Sequence, residues 1–390
     1  MKFFKNIKLV AVALLVCAGF TACSEDEPKV ITIKPGGETT NPDEEPTNPL
    51  TGEHAFFVIN QGNMGVLDGT LDFFQTDSTR YEGIFKAVNN KSLGDSPQRA
   101  VLYGSKLYLP VFTENKVWVL DANTARVLAE VNTNQPEAVC GANGYVFVSN
   151  NDGYVTRVDT TSFTASEPLA VGPNPVNMTT YNNKVYVSIS DGNNYGNGYA
   201  NGFKVAEIDA AQFNVTRNIT VGMNPGDITS DNEGNIYVVC RGDYGATPSK
   251  VWKFNVSNGE AAAMCEGSLI AVNNQQRTSR TTGKQDVLYV LNVQTDYSNW
   301  PNISNVITSA VYNTATGEKV ADNFLSAENL PANPIAIDVC PTDGNLYICS
   351  DATTGADAFT TPGYIKVYNA SGAYIKTLTT GVHPFGVVFK

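Results

Sequence analysis

A unit that opens with a proline recurs along the chain from residue 97 to the C-terminus. Each copy contains a short strand, a tight turn, a second strand that carries a Tyr-Val pair or a similar one, a loop of variable length, and two further strands. QPEAVCGANGYVFVSNNDGYVTRVD, NPVNMTTYNNKVYVSIS and NPGDITSDNEGNIYVVC begin three of these copies. Because such a unit buries its sheet faces against its neighbours, the repeat predicts a ring or a stack of β-sheets.

The prolines that open the units count the copies. They are spaced by 39, 39, 50, 109 and 50 residues, and they are Pro97, Pro136, Pro175, Pro225, Pro334 and Pro384. The longest spacing accommodates two units, and residues 54–96 and 384–390 together have the length of one more. We therefore predict an all-β, seven-bladed β-propeller whose N- and C-terminal strands share one blade, since closing a ring removes exposed sheet ends. Six or eight blades would require a different division of the longest gap.

One aromatic position recurs on the second strand of six predicted blades. Its occupants are Tyr108, Phe147, Tyr186, Tyr237, Tyr289 and Tyr347. A ring at the same place in every unit is expected to pack one blade against the next rather than to contact a ligand.

Residues 1–22 have the character of a secretion signal, in which lysines precede a short apolar run that ends in small residues. The run is too short to be a membrane-spanning helix. Its end, Phe-Thr-Ala-Cys, resembles the bacterial lipoprotein box and predicts lipidation of Cys23, with an ordinary signal cut near Ala22 as the alternative. Residues 23–53, rich in Pro, Thr, Gly, Asn and acids, are predicted to form a flexible tether before the propeller at 54–390. The acidic run at 24–27 resembles a signal for export to the outer face of the outer membrane.

The charge of the chain restricts its partners. The formal net charge is −12, and the signal segment accounts for three of the 26 basic residues and for none of the 38 acidic ones. A protein this acidic is not expected to bind nucleic acid, or anionic lipid through a basic patch. We expect contact with the membrane through the lipid anchor only.

Cysteines and histidines provide no catalytic or metal-binding pattern. Two of the five cysteines in the predicted propeller, Cys240 and Cys265, fall on the second and fourth strands of one blade, roughly 9–10 Å apart and too far for a disulfide. We expect all five to be buried free thiols: Cys140, Cys240, Cys265, Cys340 and Cys349. His54 and His383 are expected to have structural roles. With no metal-ligand spacing and no serine-nucleophile motif, we predict no catalytic residue and no metal site.

Long loops point to one face of the predicted ring. In a propeller, the loops between second and third strands share a face with the crossings between blades, and scaffold loops commonly carry function. Five of them are long, and four of these carry aromatic rings. The rings offer apolar area, and the Asn, Asp, Gln and Ser residues among the loops offer hydrogen-bond donors and acceptors. The predicted ligand-binding residues are Arg99, Phe112, Asn177, Tyr195, Tyr199, Asp227, Arg241, Asp243, Tyr244, Tyr297, Trp300 and Phe359. The alternatives are solvent-exposed turns and a water-filled channel.

Several stretches resemble a known family. FVINQGNMGVLDGTLDFF, NNKSLGDSPQRAVLYGSKLYLPVFTENKVWVLD and the GPNP and GMNP crossings are similar to the YncE-like propeller lipoproteins, and among them to the BtuG-type surface cobalamin-binding lipoproteins of gut bacteria. The resemblance covers the whole chain. It implies a non-catalytic protein that binds vitamin B12 (cobalamin) tightly at the extracellular face of the outer membrane and passes it to a BtuB-like TonB-dependent transporter. Cobalamin would be the bound ligand, without a catalytic cofactor.

Two other classes of function remain open at the level of sequence. The rim could bind a different ligand, such as a glycan, a haem-like ring or a partner protein. Some propellers are lyases or lactonases that use a metal at the channel mouth, a reading that the scarcity of histidine makes less favoured.

Overall fold

The computed structural model describes residues 29–34, 38–39, 50–52, 54–76, 79–273, 286–296, 298 and 303–390. In chain order, the strands and the α-helix of these residues are β1 (Lys29–Lys34), β2 (Glu38–Thr39), β3 (Phe56–Asn60), β4 (Thr70–Thr76), β5 (Thr79–Glu82), α1 (Ile84–Asn89), β6 (Val101–Tyr103), β7 (Lys106–Val111), β8 (Lys116–Asp121), β9 (Val127–Asn132), β10 (Pro136–Ala142), β11 (Tyr145–Asn150), β12 (Tyr154–Asp159), β13 (Leu169–Ala170), β14 (Pro175–Tyr181), β15 (Lys184–Ile189), β16 (Lys204–Asp209), β17 (Asn214–Thr220), β18 (Pro225–Ser230), β19 (Asn235–Cys240), β20 (Lys250–Asn255), β21 (Ala262–Glu266), β22 (Leu269–Val272), β23 (Val287–Asp296), β24 (Ser304–Asn313), β25 (Lys319–Asp322), β26 (Asn333–Val339), β27 (Leu346–Asp351), β28 (Pro362–Tyr368), β29 (Tyr374–Val382) and β30 (Pro384–Phe389). Short 3-10 helices span Gly192–Asn197, Ala327–Asn329 and Ala356–Phe359.

These strands form seven antiparallel blades around a central channel, which confirms the predicted seven-bladed β-propeller. Blades 2 to 7 are β6–β9, β10–β13, β14–β17, β18–β21, β22–β25 and β26–β29, each numbered from the channel outward. Blade 1 consists of β30, β3, β4 and β5 in the same order, with β1 and β2 added at its outer edge. The innermost strands contact one another from blade to blade, including β26 with β30 and β30 with β6, so the ring is closed.

The last strand of the chain completes the first blade, as predicted. β30 pairs antiparallel with β3, with Phe56 opposite Phe389. The Phe56 ring stacks on Phe74 with centroids 4.8 Å apart and meets Tyr347 of blade 7 edge-on at 5.2 Å. Backbone pairing and aromatic packing therefore both hold the ring shut.

Apolar side chains form seven clusters in the described residues, and each cluster spans the boundary between neighbouring blades. Each of the six recurrent rings is at most 2% exposed, which confirms that they pack between blades. Tyr237 of blade 5, for example, shares a cluster with Ile270 and Val272 of blade 6, and Phe57 takes the corresponding position between blades 1 and 2. Burying one such side chain contributes about 1.5–3 kcal/mol, so the rings are a main source of cohesion.

Part of the segment that we predicted to be a flexible tether is a strand. β1 pairs in parallel with β5, from Lys29 opposite Thr79 to Thr32 opposite Glu82. The outer strand of a blade offers unpaired backbone groups to any nearby extended segment, whatever its composition. The other residues of the tether and of the predicted signal, including Cys23, lie largely outside the described residues.

The crossings between blades are tied to the loops between second and third strands. The residue before the blade-opening proline has a φ between 47° and 56° in five blades, at Ser96, Gln135, Asn174, Asn224 and His383. The carbonyl of this residue accepts a hydrogen bond of 2.9–3.1 Å from a backbone N–H of the same blade. The donor is the first residue of the loop between the second and third strands. Loops and crossings therefore share one face, as predicted. We call it the rim, and we call the face formed by the remaining turns the opposite face.

Candidate functional site

The rim carries the exposed apolar side chains of the loops. Tyr195 of blade 4 and Tyr244 of blade 5 are 73% and 74% exposed, and Phe359 of blade 7 is 45% exposed. The loop of blade 1 adds three apolar side chains that are more than half exposed, Met64, Val66 and Leu67. Among the described residues, no large apolar side chain of the opposite-face turns is exposed to this degree. A concentration of exposed apolar groups on one face is typical of interaction surfaces.

A polar cavity of about 230 Å³ opens among the rim loops where they meet the channel. Asn151, Asn174 and Asn193 line it with amide groups, and Ser190 adds a hydroxyl. Four of the predicted ligand-binding residues also line it: Arg99, Asn177, Asp227 and Arg241. Arg99, Asn177 and Asp227 follow the blade-opening prolines of three different blades and thus meet in one place, where Arg241 of blade 5 joins them.

Arg99 of blade 2 forms a bridge across the channel. Its Nη1 lies 3.4 Å from Oδ1 of Asp227 in blade 5, and its Nε donates a 3.3 Å hydrogen bond to the carbonyl of Phe385 in blade 1. Asn177 of blade 4 donates to the same Asp227 carboxylate at 3.2 Å. Burial by itself would lower the pKa of Arg99, but Asp227 and then Asp338 more than offset this, so its pKa is raised and the guanidinium stays charged.

This bridge separates the rim cavity from a larger chamber of about 1000 Å³ inside the channel. Arg99 and Asn177 line both spaces. The chamber extends to the opposite face, where Tyr103, Thr342 and Lys390 line it. A water-filled channel is one of the alternatives that the sequence leaves open, but its size could not be predicted, because the alternation of the inner strands reveals nothing about the width of the channel between them.

Neighbouring residues determine the position of one charged side chain in the rim cavity and the pKa of another. The Arg241 guanidinium lies across Gly226, where an added Cβ would come within 2.4 Å of Nε, so a larger residue at 226 would displace the guanidinium from this position. Glu137 of blade 3 accepts a 2.6 Å hydrogen bond from Asn151. Burial raises the pKa of Glu137, and the Asn151 hydrogen bond and the charge of Arg241 oppose the rise. The cavity therefore presents both signs of charge among amides.

The long loop of blade 4, residues 190–203, is ordered around a buried carboxylate. Asp191 accepts hydrogen bonds from the Asn194 side chain at 2.9 Å and from the Asn201 backbone at 2.8 Å. Tyr199 is only 5% exposed and packs within the loop, whereas Tyr195 of the same loop is 73% exposed. Burial raises the pKa of Tyr199, and Tyr244 and Asp243 of blade 5 raise it further.

Asp243 shapes the loop of blade 5. Its Oδ1 accepts backbone hydrogen bonds from Gly245 at 2.9 Å and from Thr247 at 2.8 Å. The Thr247 bond, followed by the Gly245 bond, holds the pKa of Asp243 below its ordinary value. Its carboxylate thus holds the turn that projects Tyr244 into solvent.

A line of rings runs from the rim surface into the channel, and the sequence analysis identified only its outer end, Phe359. The centroids of Phe359 and His383 are 5.0 Å apart, and those of His383 and Phe385 are 6.0 Å apart. The Arg99 guanidinium lies 5.7 Å from the Phe385 centroid. His383 is oriented by Asp351, whose Oδ1 lies 2.9 Å from its Nδ1. We predicted a structural role for His383, and the short crossing GVHPFG gave no signal that it also faces the site.

The remaining predicted site residues are less central. Phe112 is half-buried at the start of the short loop of blade 2, where its backbone N–H bonds Ser96. Tyr297 and Trp300 lie outside the described residues. Asn177, Asp227 and the two arginines are therefore the predicted residues that the structure brings together, with Tyr195, Tyr199, Tyr244 and Phe359 in the loops above them.

All five cysteines of the propeller are free thiols, as predicted. Four are buried, whereas Cys265 is only partly buried, so the expectation of full burial is wrong for that residue. Burial raises the pKa of Cys240 to about 12 and that of Cys140 higher still. Such thiols carry little thiolate at neutral pH and are poor nucleophiles.

Seven antiparallel blades closed around a channel, with a polar cavity and aromatic loops on one rim, define the class: this chain is a seven-bladed β-propeller. The family described as "Domain of unknown function (DUF5074)" matches residues 54–193, which run from the first to the fourth blade. No curated protein matches the chain. Among the described residues, no helix combines the length and apolar character that crossing a membrane requires.

Two solved structures are similar in fold. One is a quinonprotein alcohol dehydrogenase-like protein from Bacteroides thetaiotaomicron VPI-5482, at 15% identity and a TM-score of 0.57, with 93% of this chain and 96% of that one covered. The other is hydrazine synthase from Kuenenia stuttgartiensis, at 18% identity and a TM-score of 0.56, with 75% and 89% covered. At these identities the likeness extends to the propeller architecture alone.

Proposed function

We propose that this protein is a non-catalytic, lipid-anchored receptor of the cell surface that binds cobalamin on its rim. The observation that carries the proposal is the concentration of exposed rings and amides on one face, above a polar cavity. Tyr195, Tyr244 and Phe359 are exposed there, and amides of four asparagines line the cavity below.

Cobalamin matches this surface chemically. Its corrin is a broad apolar ring with a fringe of amide side chains, so it needs apolar area and amide partners together. The corrin is far larger than the 230 Å³ cavity, and it would therefore lie across the rim loops with an amide arm in the cavity. There Asn177, Arg241 and Asp227 offer both donors and acceptors.

Transfer to a membrane transporter forms the second part of the proposal. The predicted lipid on Cys23 and the segment up to residue 53 would hold the propeller at the outer face of the outer membrane. The exposed apolar group of Met64, Val66 and Leu67 on the blade 1 loop supplies a surface for a BtuB-like TonB-dependent transporter, next to the bound ligand. The receptor would then release cobalamin directly into the transporter.

Isothermal titration of the purified protein with cyanocobalamin tests the proposal. We expect a single site and a change in the visible spectrum of the corrin. Phe359→Ala should weaken binding roughly tenfold, since it removes one ring contact. The matched control is Ile375→Ala on the outer strand of the same blade, because Ile375 is also 45% exposed but lies away from the rim.

The outcomes separate the competing functions. No heat and no spectral change at micromolar concentrations would remove cobalamin as the ligand. Binding to a glycan array, to haem or to a partner protein, lost in the Phe359→Ala protein and kept in the Ile375→Ala protein, would keep the rim as the site and change its ligand. Turnover that a chelator abolishes would favour an enzyme instead.

A further inference from the structure

Three side chains that can bind a metal meet on the opposite face, at the junction of blades 7 and 1. His54 precedes β3 of blade 1, whereas Cys340 and Asp343 belong to the turn between β26 and β27 of blade 7. The Nδ1 atom of His54 lies 3.9 Å from Sγ of Cys340 and 3.9 Å from Oδ2 of Asp343. All three ligand atoms lie within 4.8 Å of one another.

The donor set and its dimensions suit zinc. Imidazole nitrogen, thiolate sulfur and carboxylate oxygen are the ligands of protein zinc sites, with bonds of ~2.0–2.3 Å and tetrahedral geometry. In such a site the ligand atoms lie roughly 3.4–3.6 Å apart. The two separations from His54, both 3.9 Å, therefore need to shrink by only a few tenths of an ångström. The separation of Cys340 from Asp343, at most 4.8 Å, needs to shrink by no more than about 1.5 Å, which rotation of the partly exposed Asp343 side chain can provide.

One of the three ligands is buried, and the other two are partly exposed to solvent. Cys340 is 1% exposed, and the side chains of His54 and Asp343 are about one-third exposed. The thiol is thus at the bottom of a shallow site, and an ion can reach it from the surface past the imidazole and the carboxylate. The Thr342 hydroxyl contacts both Nδ1 of His54 at 2.6 Å and Sγ of Cys340 at 3.1 Å, so it must rotate aside when an ion enters.

We propose that His54, Cys340 and Asp343 form a zinc site that fastens blade 7 to blade 1. The ion would take Nδ1, Sγ and one carboxylate oxygen from the protein and a water molecule as its fourth ligand. Cys340 releases its proton to solvent on binding, and the imidazole carries its own proton on Nε2. The site lies beside the strand pair that closes the ring, and it joins residues 286 positions apart in the chain. It is separate from the rim and independent of the ligand proposed there.

Zinc binding to the metal-free protein under reducing conditions is the primary test. We expect one Zn²⁺ per chain by isothermal titration and a thiolate charge-transfer band on substitution with Co²⁺. Saturating Zn²⁺ should raise the Tm by roughly 3–5 °C, because an ion that binds the folded chain alone stabilises it by mass action.

Paired variants make the test specific. His54 has a φ of 65° and His383 one of 54°, and asparagine tolerates this conformation well. His54→Asn should weaken zinc binding at least roughly 100-fold and abolish the Co²⁺ band. The control His383→Asn removes the other histidine of the chain and should leave the zinc affinity and the Co²⁺ band unchanged. Thr342→Val, which keeps the shape of the side chain but removes the hydroxyl, should bind zinc as tightly as the native protein.

Two results would overturn the proposal. The first is the absence of stoichiometric binding at micromolar Zn²⁺ with a folded protein. The second is equal binding by the His54→Asn and His383→Asn proteins, which would place the ion elsewhere. If Cys340→Ser fails to fold, the His54→Asn measurement still decides, because the His54 side chain is about one-third exposed and belongs to none of the apolar clusters.

Discussion

The rim and the opposite face of the propeller are built by the same strands, yet they expose different chemistry. Loops of the rim extend to 14 residues at 190–203 and carry exposed rings. Turns of the opposite face are as short as the two residues Asn182 and Asn183, both with positive φ. Within the described part of the chain, large exposed apolar side chains occur in the rim loops and on the third and outermost strands of the blades, not in the opposite-face turns.

This difference shows which connections the fold constrains. A turn of the opposite face joins adjacent strands and must match their twist, so its length and its residues are restricted. The rim loops start from a fixed point, the hydrogen bond between loop and crossing, and can then take any length without disturbing the sheet. The same ring can therefore hold a variable recognition surface at one end and tight, closing contacts at the other.

The largest effect in this comparison is expected for a ring inside the sheet rather than on the rim. Tyr237→Ala should lower the free energy of unfolding by about 3–5 kcal/mol, because it empties a fully buried site between blades 5 and 6. It also removes the 3.1 Å hydrogen bond that the Tyr237 hydroxyl donates to Asp231. Urea denaturation measures the change. The folded fraction should still bind the rim ligand normally, and a loss below 1 kcal/mol would contradict the packing role.

A smaller effect is expected for a rim residue that is nevertheless buried. Tyr199→Ala should lower the free energy of unfolding by about 1–3 kcal/mol, since the ring is buried in the loop at 190–203 near the surface, where the cavity can partly collapse. It should also make the loop at 190–203 more susceptible to proteolysis, because Tyr199 and Asp191 together hold it in place. Urea denaturation and limited proteolysis measure the two effects. Unchanged stability and unchanged cleavage would contradict a packing role for the Tyr199 ring.

Asp338 lines the channel chamber and interacts electrostatically with Arg99 and Asp227 of the bridge. Burial raises the pKa of Asp338 to about 6, with Arg99 opposing and Asp227 adding to the shift. A carboxyl whose folded-state pKa is raised binds its proton more tightly in the folded protein. Its contribution to stability is therefore present at low pH and is lost as the pH rises from about 4 to about 6.

Asp338→Asn removes that titration. The difference in stability between the native protein and the variant should change by on the order of 1–2 kcal/mol between pH 4 and pH 7, in favour of the variant at the higher pH. The control is Asp322→Asn, since Asp322 is exposed on an outer strand and its loss should leave the pH profile parallel to that of the native protein. Parallel profiles for the Asp338 variant would show that this carboxyl titrates normally.

The ring could be predicted from the sequence, whereas the site could be predicted only in part. The blade-opening proline, such as Pro225, and the aromatic position occupied by Tyr237 recur once per blade, so they indicate the number of blades. Alternation along each strand then predicts which side chains are buried. Tyr199 has no counterpart in other blades, and nothing local distinguishes it from Tyr195. The Arg99–Asp227 contact joins positions 128 residues apart, and that distance is bridged only when the ring closes. Cross-ring pairs of this kind leave no pattern in a single sequence.

The smallest effect on stability, and the most informative one for the comparison, is expected at Tyr195. Its ring is 73% exposed, so Tyr195→Ala should change the free energy of unfolding by less than about 0.5 kcal/mol. If the rim is a recognition surface, the same change should weaken binding of cyanocobalamin roughly tenfold, because the ring is covered only when the ligand is present. Urea denaturation measures the free energy of unfolding, and calorimetric titration of the same preparation measures the affinity for cyanocobalamin. Stability and binding would then separate at two residues only four positions apart, with Tyr199 holding the loop and Tyr195 contacting the ligand, and equal destabilisation by the two variants would contradict that division.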